Sequence, residues 1–456
     1  MRSDPRRLAL ETLDAVERGR AHLDLVLDRM PLSELSPRDR RLFNAMVFGV
    51  LRWRGRLDYI LARLSKTPLR KIRPEVLNLL RLGLFQIVYL ERVPDAAAVN
   101  TAVDICKSLA PTWVVRFVNG LLRNACRRHP TIEMPDVAAD PLEALAVEQS
   151  MPAWLVTRWL GRYGLDECRR FCDAHNTIPP VTLRANAMRC RREQLQQRLS
   201  DRAKEVVPGA LAPESLRLRG LSAPVDALPG FSQGWFQVQD EAAQLVTALL
   251  APRPGETVLD ACAGQGGKTG HIGQLMENRG RLVALDADRR RLERIAPEMR
   301  RLGIEGVRTA LQDLEQPLAA AVAGPYDRVL LDAPCSGLGV LRRNPDTKWR
   351  LPPDAPETCG RRQLRLLERL ALAVKSGGVL VYAVCSTEPE ENEAVVDAFL
   401  ERHPQFAADC RTGFLTAAAR ELVGPDGWLR CIPHRHQTDG FFAARLQCSG
   451  RRGGSA

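Results

Sequence analysis

Two patterns of apolar positions divide this chain. From residue 1 to about 140, leucines and valines recur at three- and four-residue intervals: Leu8, Leu10, Leu13 and Val16, then Val76, Leu79, Leu80 and Leu84. That spacing places them on one face of a helix, so it predicts an all-helical region. Pro31, Pro37, Pro68, Pro74 and Pro94 punctuate the helices. From Trp235 onward, short apolar runs alternate with amphipathic stretches. The runs predict strands at 257–262, 281–286, 307–311, 327–332, 378–385, 428–432 and 440–447. Helices near 237–251, 268–278, 288–302, 361–375 and 389–402 separate most of them. Unbroken apolar runs mark strands covered on both faces. Strand–helix alternation predicts a mostly parallel, doubly wound α/β sheet. The last two strands have no predicted helix between them, which predicts a terminal hairpin.

Residues 130–150, rich in Pro, Ala and acidic groups, read as a linker. Beyond it, short helices and strands mix up to about residue 235, with Val181–Asn186 as one strand. The expected organisation is therefore multi-domain: an all-α domain over 1–140, a linker and small α+β subdomain over 141–235, and an α/β doubly wound domain over 236–447. A disordered tail would occupy 448–456.

Composition narrows the partners. The chain of 456 residues carries 45% hydrophobic and 26% charged residues and a formal charge of +12, as a soluble protein with a polyanionic partner would. Residues 1–140 alone hold 24 Lys or Arg against 16 Asp or Glu. The densest clusters are Arg52-Trp53-Arg54-Gly55-Arg56 and Arg70-Lys71-Ile72-Arg73. One such cluster is an ordinary solvated helix face; several in one helical module favour an RNA-binding surface. The 12 cysteines are irregularly spaced, no signal peptide is visible, and no run is long enough to span a membrane. These features predict a cytoplasmic protein with free thiols and no membrane association. Cys168 and Cys172, four apart, lack a complementary Cys or His pair, so no metal site is expected. The chain reads as a monomer.

Candidate chemistry collects where the strands end. The strand Thr257–Asp260 runs into Ala261-Cys262-Ala263-Gly264-Gln265-Gly266-Gly267-Lys268-Thr269, a glycine-rich turn opening a helix, where a backbone can approach a ligand closely. A phosphate-binding loop would need Gly at 262, where Cys stands, which weighs against the nucleotide-triphosphatase reading. Asp286 closes the second strand, as a ribose-binding carboxylate would. Asp313 follows the third and could bind an adenine amino group. Together they point to an adenosine cofactor. Two further strands end in Asp332-Ala333-Pro334-Cys335-Ser336-Gly337 and Val384-Cys385-Ser386-Thr387. Cysteine often only fills a core, but two thiols and a carboxylate at carboxyl strand ends look like nucleophile chemistry.

These segments resemble motifs of the S-adenosylmethionine-dependent RNA (cytosine-5) methyltransferases, the Sun/NOL1/NOP2 family. The likeness extends to Arg342-Arg343-Asn344-Pro345-Asp346-Thr347-Lys348-Trp349, Gln437-Thr438-Asp439-Gly440-Phe441-Phe442 and Gln239-Asp240-Glu241-Ala242-Ala243. Two departures are visible: Gly264-Gln265 stands for the family's usual Ala-Pro, and Val384 for its Thr. The N-terminal segment resembles the NusB-like helical domain, notably in Arg92 to Asn100. That fusion is the arrangement of family members acting on 16S rRNA, which makes 16S rRNA the expected substrate and partner. The resemblance implies a Rossmann-like methyltransferase domain that uses S-adenosyl-L-methionine. It implies Cys385 as the nucleophile adding to C6 of cytosine, Cys335 assisting product release, and Asp332 contacting the base. It assigns Cys262, Ala263, Gly264, Gln265, Gly266, Gly267, Lys268, Asp286, Asp313 and Asp332 to the cofactor. A DNA cytosine methyltransferase would instead use the Cys after Pro, here Cys335; the second thiol and the helical N-terminal domain favour RNA. A non-catalytic RNA-binding factor is the other reading, opposed by intact Asp332, Cys335 and Cys385.

Overall fold

The computed structural model describes residues 4–19 and 22–449. They form two compact units: the first comprises the chain up to Thr177 together with Leu341–Pro353, the second the remainder.

The first unit is helical, as its periodicity predicts. Helices α1 (Pro5–Gly19), α2 (Leu23–Leu27), α3 (Pro37–Leu64), α4 (Pro74–Tyr89), α5 (Asp95–Lys107) and α6 (Thr112–Arg128) precede α7 (Pro141–Glu148) and α8 (Ala153–Asn176). Proline stands in the first turn of α3, α4 and α7, where its missing N–H costs nothing. Ser36 caps α3 and Asp140 caps α7 by accepting a backbone N–H. Leu8, Leu13, Phe43, Val47, Leu61, Leu80 and Leu122 meet in the core. The packing divides the chain at residue 177, whereas the sequence suggests 140. Both α7 and α8 lie on the helical side, with α7 against α3 and α8.

The segment 341–353 leaves the second unit and packs into the first. Its Arg-Asn-Pro-Asp-Thr-Lys-Trp stretch is held there by many hydrogen bonds. Arg52 Nη2 donates to the Arg342 carbonyl at 2.8 Å, and Trp349 Nε1 to the Leu51 carbonyl at 2.6 Å. Asp346 Oδ2 accepts from the Leu23 N–H at 3.3 Å and from Arg350 at 3.1 Å.

In the second unit, a four-stranded antiparallel sheet of order β2-β3-β1-β4 joins β1 (Val181–Ala185), β2 (Ala203–Pro208), β3 (Ser215–Leu221) and β4 (Phe236–Val238), with helix α9 (Arg192–Leu199) beside it. Helix α10 (Glu241–Leu250) leads into an eight-stranded sheet of order β10-β12-β9-β8-β5-β6-β7, with β11 paired to β12. Its strands are β5 (Thr257–Asp260), β6 (Arg281–Asp286), β7 (Val307–Leu311), β8 (Tyr326–Asp332), β9 (Val374–Val384), β10 (Phe406–Ala408), β11 (Leu429–Cys431) and β12 (Phe441–Cys448). Strands β9, β8, β5, β6 and β7 run parallel, while β12 is antiparallel to β9.

Side chains alternate between two cores. Leu259, Val283, Leu331 and Leu380 face the helices Ala355–Ala371 and Glu393–Arg402, while Val258, Leu282, Leu330 and Val379 face α10 and α11 (Gly267–Leu275). Burial on both faces explains the unbroken apolar runs. Helix α12 (Arg289–Leu302) buries Leu292, Ile295, Met299 and Leu302 and leaves Arg289, Arg290, Arg291, Arg294 and Arg300 exposed, while Arg301 donates to the Phe231 and Phe236 carbonyls.

Three expectations need correction. The helix placed at 361–375 ends at Ala371, and β9 already begins at Val374, since Val374 pairs with Tyr326 of the neighbouring strand. The last two strands do pair antiparallel, but a short helical turn, Pro433–His436, stands between them. Cys448, assigned to a disordered tail, ends β12 opposite Phe406, and the Ser449 N–H donates to the Gln405 carbonyl at 2.9 Å. The rest of that tail lies outside the described residues.

Candidate active site

Four neighbouring parallel strands deliver chemistry to one edge. Asp286 ends β6, Asp260 ends β5, Asp332 ends β8, and Cys385 follows β9. The register aligns Asp332 with Ala383 and Asp260 with Ala284, so these residues share the carboxyl edge where open α/β sheets bind ligands.

The turn after β5 is a backbone cradle. Gly264 N–H donates to Asp286 Oδ2 at 2.8 Å, and Asp286 Oδ1 accepts from Asp288 N–H at 2.8 Å. Gly264 and Gly266 have φ of 56° and 85°, left-handed values that suit glycine. Nothing lies within 4 Å of a Cβ built on Gly264 or Gly267, so the loop surface there is open. Cys262 is half-buried, Ala263 is buried, and Gln265 is exposed at the loop tip. Burial, then the charges of Asp286, Asp332 and Asp260, push the Cys262 thiol up, so it stays neutral. Asp313 lies two residues beyond β7, its carboxylate accepting from the Glu315 N–H at 2.9 Å.

Lys268, in the first turn of α11, pairs with Asp332 at 2.5 Å and lies 5.3 Å from the centre of the Phe441 ring. Burial works against its ammonium, but Asp332, Asp260 and Cys385 outweigh it and raise its pKa. Asp260 is fully buried. Its Oδ2 accepts from the Thr269 hydroxyl at 2.7 Å, while Oδ1 has no partner among the described residues. Burial pushes its carboxyl up to about 7. The open glycine surface, the unpartnered Asp260 oxygen and the Asp286 carboxylate fit a polar cofactor carrying donor groups.

The two candidate thiols meet. Cys335 and Cys385 lie 3.2 Å apart, sulfur to sulfur. Three loops hold them by backbone contact: Gly339 N–H donates to the Cys385 carbonyl at 3.0 Å, and Gly440 N–H to the Gly339 carbonyl at 2.8 Å. A Cβ on Gly339 would stand 2.1 Å from the Gly440 carbonyl oxygen, so only glycine permits this approach. Contact with Cys385, then burial, then the charges of Cys385 and Glu391 raise Cys335 well above the usual thiol range. It is therefore held as a neutral thiol, and only a thiolate is a strong nucleophile.

Two residues of this region escaped the sequence reading. Glu391 is buried behind both thiols, accepting from Ser336 and Ser386. Arg184 of β1, also fully buried, donates to the Gly267 carbonyl at 3.1 Å, to Gln237 at 2.8 Å and to Gln239. It braces the start of α11, and burial lowers its pKa to about 9. The Gln-Asp-Glu motif at 239–241 is structural too. Asp240 caps α10 by accepting from Ala242 N–H at 3.0 Å, and Glu241 accepts from the backbone of Leu211 at 2.8 Å. Among the described residues no cluster of three or more His, Cys, Asp or Glu is arranged to hold a metal. No helix among them is long and apolar enough to cross a membrane.

A glycine turn, acidic strand ends and an antiparallel β9–β12 pairing beside a parallel sheet define a Rossmann-like methyltransferase fold. Family models agree: one described as 16S rRNA methyltransferase RsmB/F matches residues 247–447, NusB family matches 3–127, and the ferredoxin-like domain of RsmF/B-like methyltransferases matches 151–225. The chain is 37% identical over 449 residues to a Bacillus subtilis protein named probable ribosomal RNA small subunit methyltransferase B, covering 98% of this chain and 99% of that one. A Pseudomonas syringae protein named ribosomal RNA small subunit methyltransferase B is 36% identical, covering 97% and 96%. The crystal structure of PH0851 superposes with a TM-score of 0.81 at 27% identity, covering 98% and 99%. The chain belongs to the RsmB/F family of S-adenosylmethionine-dependent rRNA methyltransferases.

Proposed function

We propose that this protein transfers a methyl group from S-adenosyl-L-methionine to C5 of one specific cytosine in 16S rRNA, through a covalent bond between Cys385 and C6. The observation that carries this reading is the pair of thiols 3.2 Å apart, beside a carboxylate anchored by a largely buried lysine. The 262–268 turn, Asp286 and Asp313 would hold the cofactor, which would supply an electrophilic methyl. Cytosine C5 is too weak a nucleophile alone. Addition of the Cys385 thiolate to C6 pushes electrons to C5 and makes it an enamine carbon. Asp332 binds the N3/N4 edge and assists protonation at N3. C5 then attacks the methyl group, the S–CH3 bond breaks and S-adenosylhomocysteine leaves; the C5 proton passes to water, its electron pair forms the C5–C6 double bond and the C6–S pair returns to the Cys385 sulfur, with Cys335 assisting this release. The target cytosine must be unpaired or flipped out to reach the strand ends.

The first unit supports the RNA half of the reading. Between Asp104 and Glu133 the sequence carries Lys107, Arg116, Arg123, Arg127 and Arg128 and no acidic residue. On α6, Trp113 is 71% exposed, and Arg116, Arg123 and Arg127 share its exposed face. An aromatic flanked by arginines suits a single-stranded RNA segment, stacking one base and neutralising phosphates. The protein acts in the cytoplasm as a monomer. Incubation with 16S rRNA and methyl-labelled cofactor, followed by nucleoside analysis, should give label in 5-methylcytidine at one position. Label in any other nucleoside would contradict the reading.

A further inference from the structure

Behind the two thiols lies a carboxyl group that the reaction above does not use. The Glu391 side chain is fully buried, yet its hydrogen-bond donors are all neutral. Oε1 accepts from the Ser336 hydroxyl and, at 2.7 Å, from the Ser386 hydroxyl. Oε2 accepts from the Ser336 N–H at 2.8 Å and from Gln363 Nε2 at 3.0 Å. Ser336 and Ser386 are the residues directly after Cys335 and Cys385. One carboxylate therefore ties together the two loops that carry the thiols. Gln363 extends the tie, donating to the Pro334 carbonyl at 3.0 Å and accepting from the Tyr382 hydroxyl at 2.9 Å. The Tyr382 hydroxyl also bonds the Glu391 carbonyl at 2.5 Å.

Burying a carboxylate without a cation is unfavourable, and apolar groups of similar volume often serve core stability as well or better. The charge needs another reason to be here. We propose that Glu391 is a positioning residue for methyl transfer, clamping the Cys335 and Cys385 loops so that both thiols address the same base. This rests on the function proposed above. Burial raises the Glu391 carboxyl against the hydrogen bonds from Ser336, Ser386 and Gln363; in its ionised form it also opposes ionisation of Cys335 and so disfavours a second thiolate beside the nucleophile.

The test reads thiol geometry separately from turnover. Dibromobimane bridges two thiols only when they are close, and peptide mass spectrometry identifies the Cys335–Cys385 product. In Glu391→Ala the bridged yield should fall at least fivefold and kcat roughly a hundredfold, as a displacement near 1 Å can produce. Cofactor affinity and the KM for rRNA should stay within threefold. Glu391→Gln keeps an oxygen for both hydroxyls and should recover about tenfold of the lost kcat. If Glu391→Ala does not fold, Ser336→Ala and Ser386→Ala decide, each cutting one tie, with the same signature at smaller size. Wild-type bridging and kcat in Glu391→Ala, or in both serine variants, would overturn the clamp. So would a loss of kcat with bridging unchanged. A wild-type enzyme that bridges normally but does not methylate rRNA would instead contradict the proposed function.

Discussion

Two lysines, one largely and one fully buried, one in each unit, show how differently the same residue can be used. Lys268 opens α11 and meets Asp332, so its ammonium is favoured despite burial. Lys348 sits in the 341–353 segment with 2% of its surface exposed. It donates to the Arg52 carbonyl at 2.9 Å and to Asn176 Oδ1 at 3.3 Å, with no carboxylate among its hydrogen-bond partners. Burial, reinforced by the Arg52 charge, lowers its pKa to about 7. Both lysines stand in motifs that the family resemblance singles out. Geometry separates them: one is aimed at the strand ends where chemistry occurs, the other fastens a returning segment of chain to a helical core.

Breaking the first lysine should have the largest effect. Lys268→Ala removes the cation paired with Asp332, and losing one preorganised electrostatic group of an active site typically costs about 3–4 kcal/mol of transition-state stabilisation. Steady-state kinetics should then show kcat/KM lower by roughly 10²–10³-fold with the fold intact by circular dichroism. A loss under tenfold would place Lys268 with Lys348 as a structural group. Asp286→Ala tests the same edge one strand further. Losing a charged hydrogen bond costs about 1.5–3 kcal/mol, so calorimetry should report cofactor binding weakened roughly 10- to 150-fold. Unchanged affinity would assign the ribose to another carboxylate.

A third variant moves to the helical unit. Replacing Trp113, Arg116, Arg123 and Arg127 together by alanine should raise the half-saturating rRNA concentration about tenfold. It should also flatten its salt dependence, since fewer counterions are released. Cofactor binding should be untouched. The smallest effect on turnover belongs to Lys348→Met, with kcat changed less than threefold. Its signature is in stability. The unfolded chain holds a proton on Lys348 up to about pH 10.4, whereas the folded chain releases it near pH 7. Between those values the unfolded state binds more protons, so wild-type stability should rise with pH across that window. In Lys348→Met that rise in melting temperature should disappear. A rise that persists would mean Lys348 is charged in the fold.

The same contrast explains what could be read from the sequence. Asp286, Asp332, Cys335 and Cys385 each sit within a few residues of a strand end, so local pattern pointed to them, and the glycine-rich turn drew attention to Lys268; Asp260 was read only as the end of a strand. Glu391 and Arg184 act on residues far away in the chain. Glu391 bonds Ser336, 55 positions earlier, and Arg184 reaches Gly267, 83 positions later. No local period reports such contacts. The return of 341–353 to the helical unit was hidden for the same reason, because its partners begin at Leu23 and Leu51. Strand β10 spans only Phe406–Ala408, too short for periodicity to register.

The central claim is that Cys385 makes the bond to RNA and Cys335 helps to break it. Each thiol can be removed alone, and RNA–protein adducts then read on a denaturing gel with labelled 16S rRNA and cofactor. The account predicts that Cys335→Ala methylates once and stalls, giving a slowly migrating band joined through Cys385, while Cys385→Ala gives neither band nor methyl transfer. A trapped band from Cys385→Ala, with none from Cys335→Ala, would contradict it and make Cys335 the nucleophile.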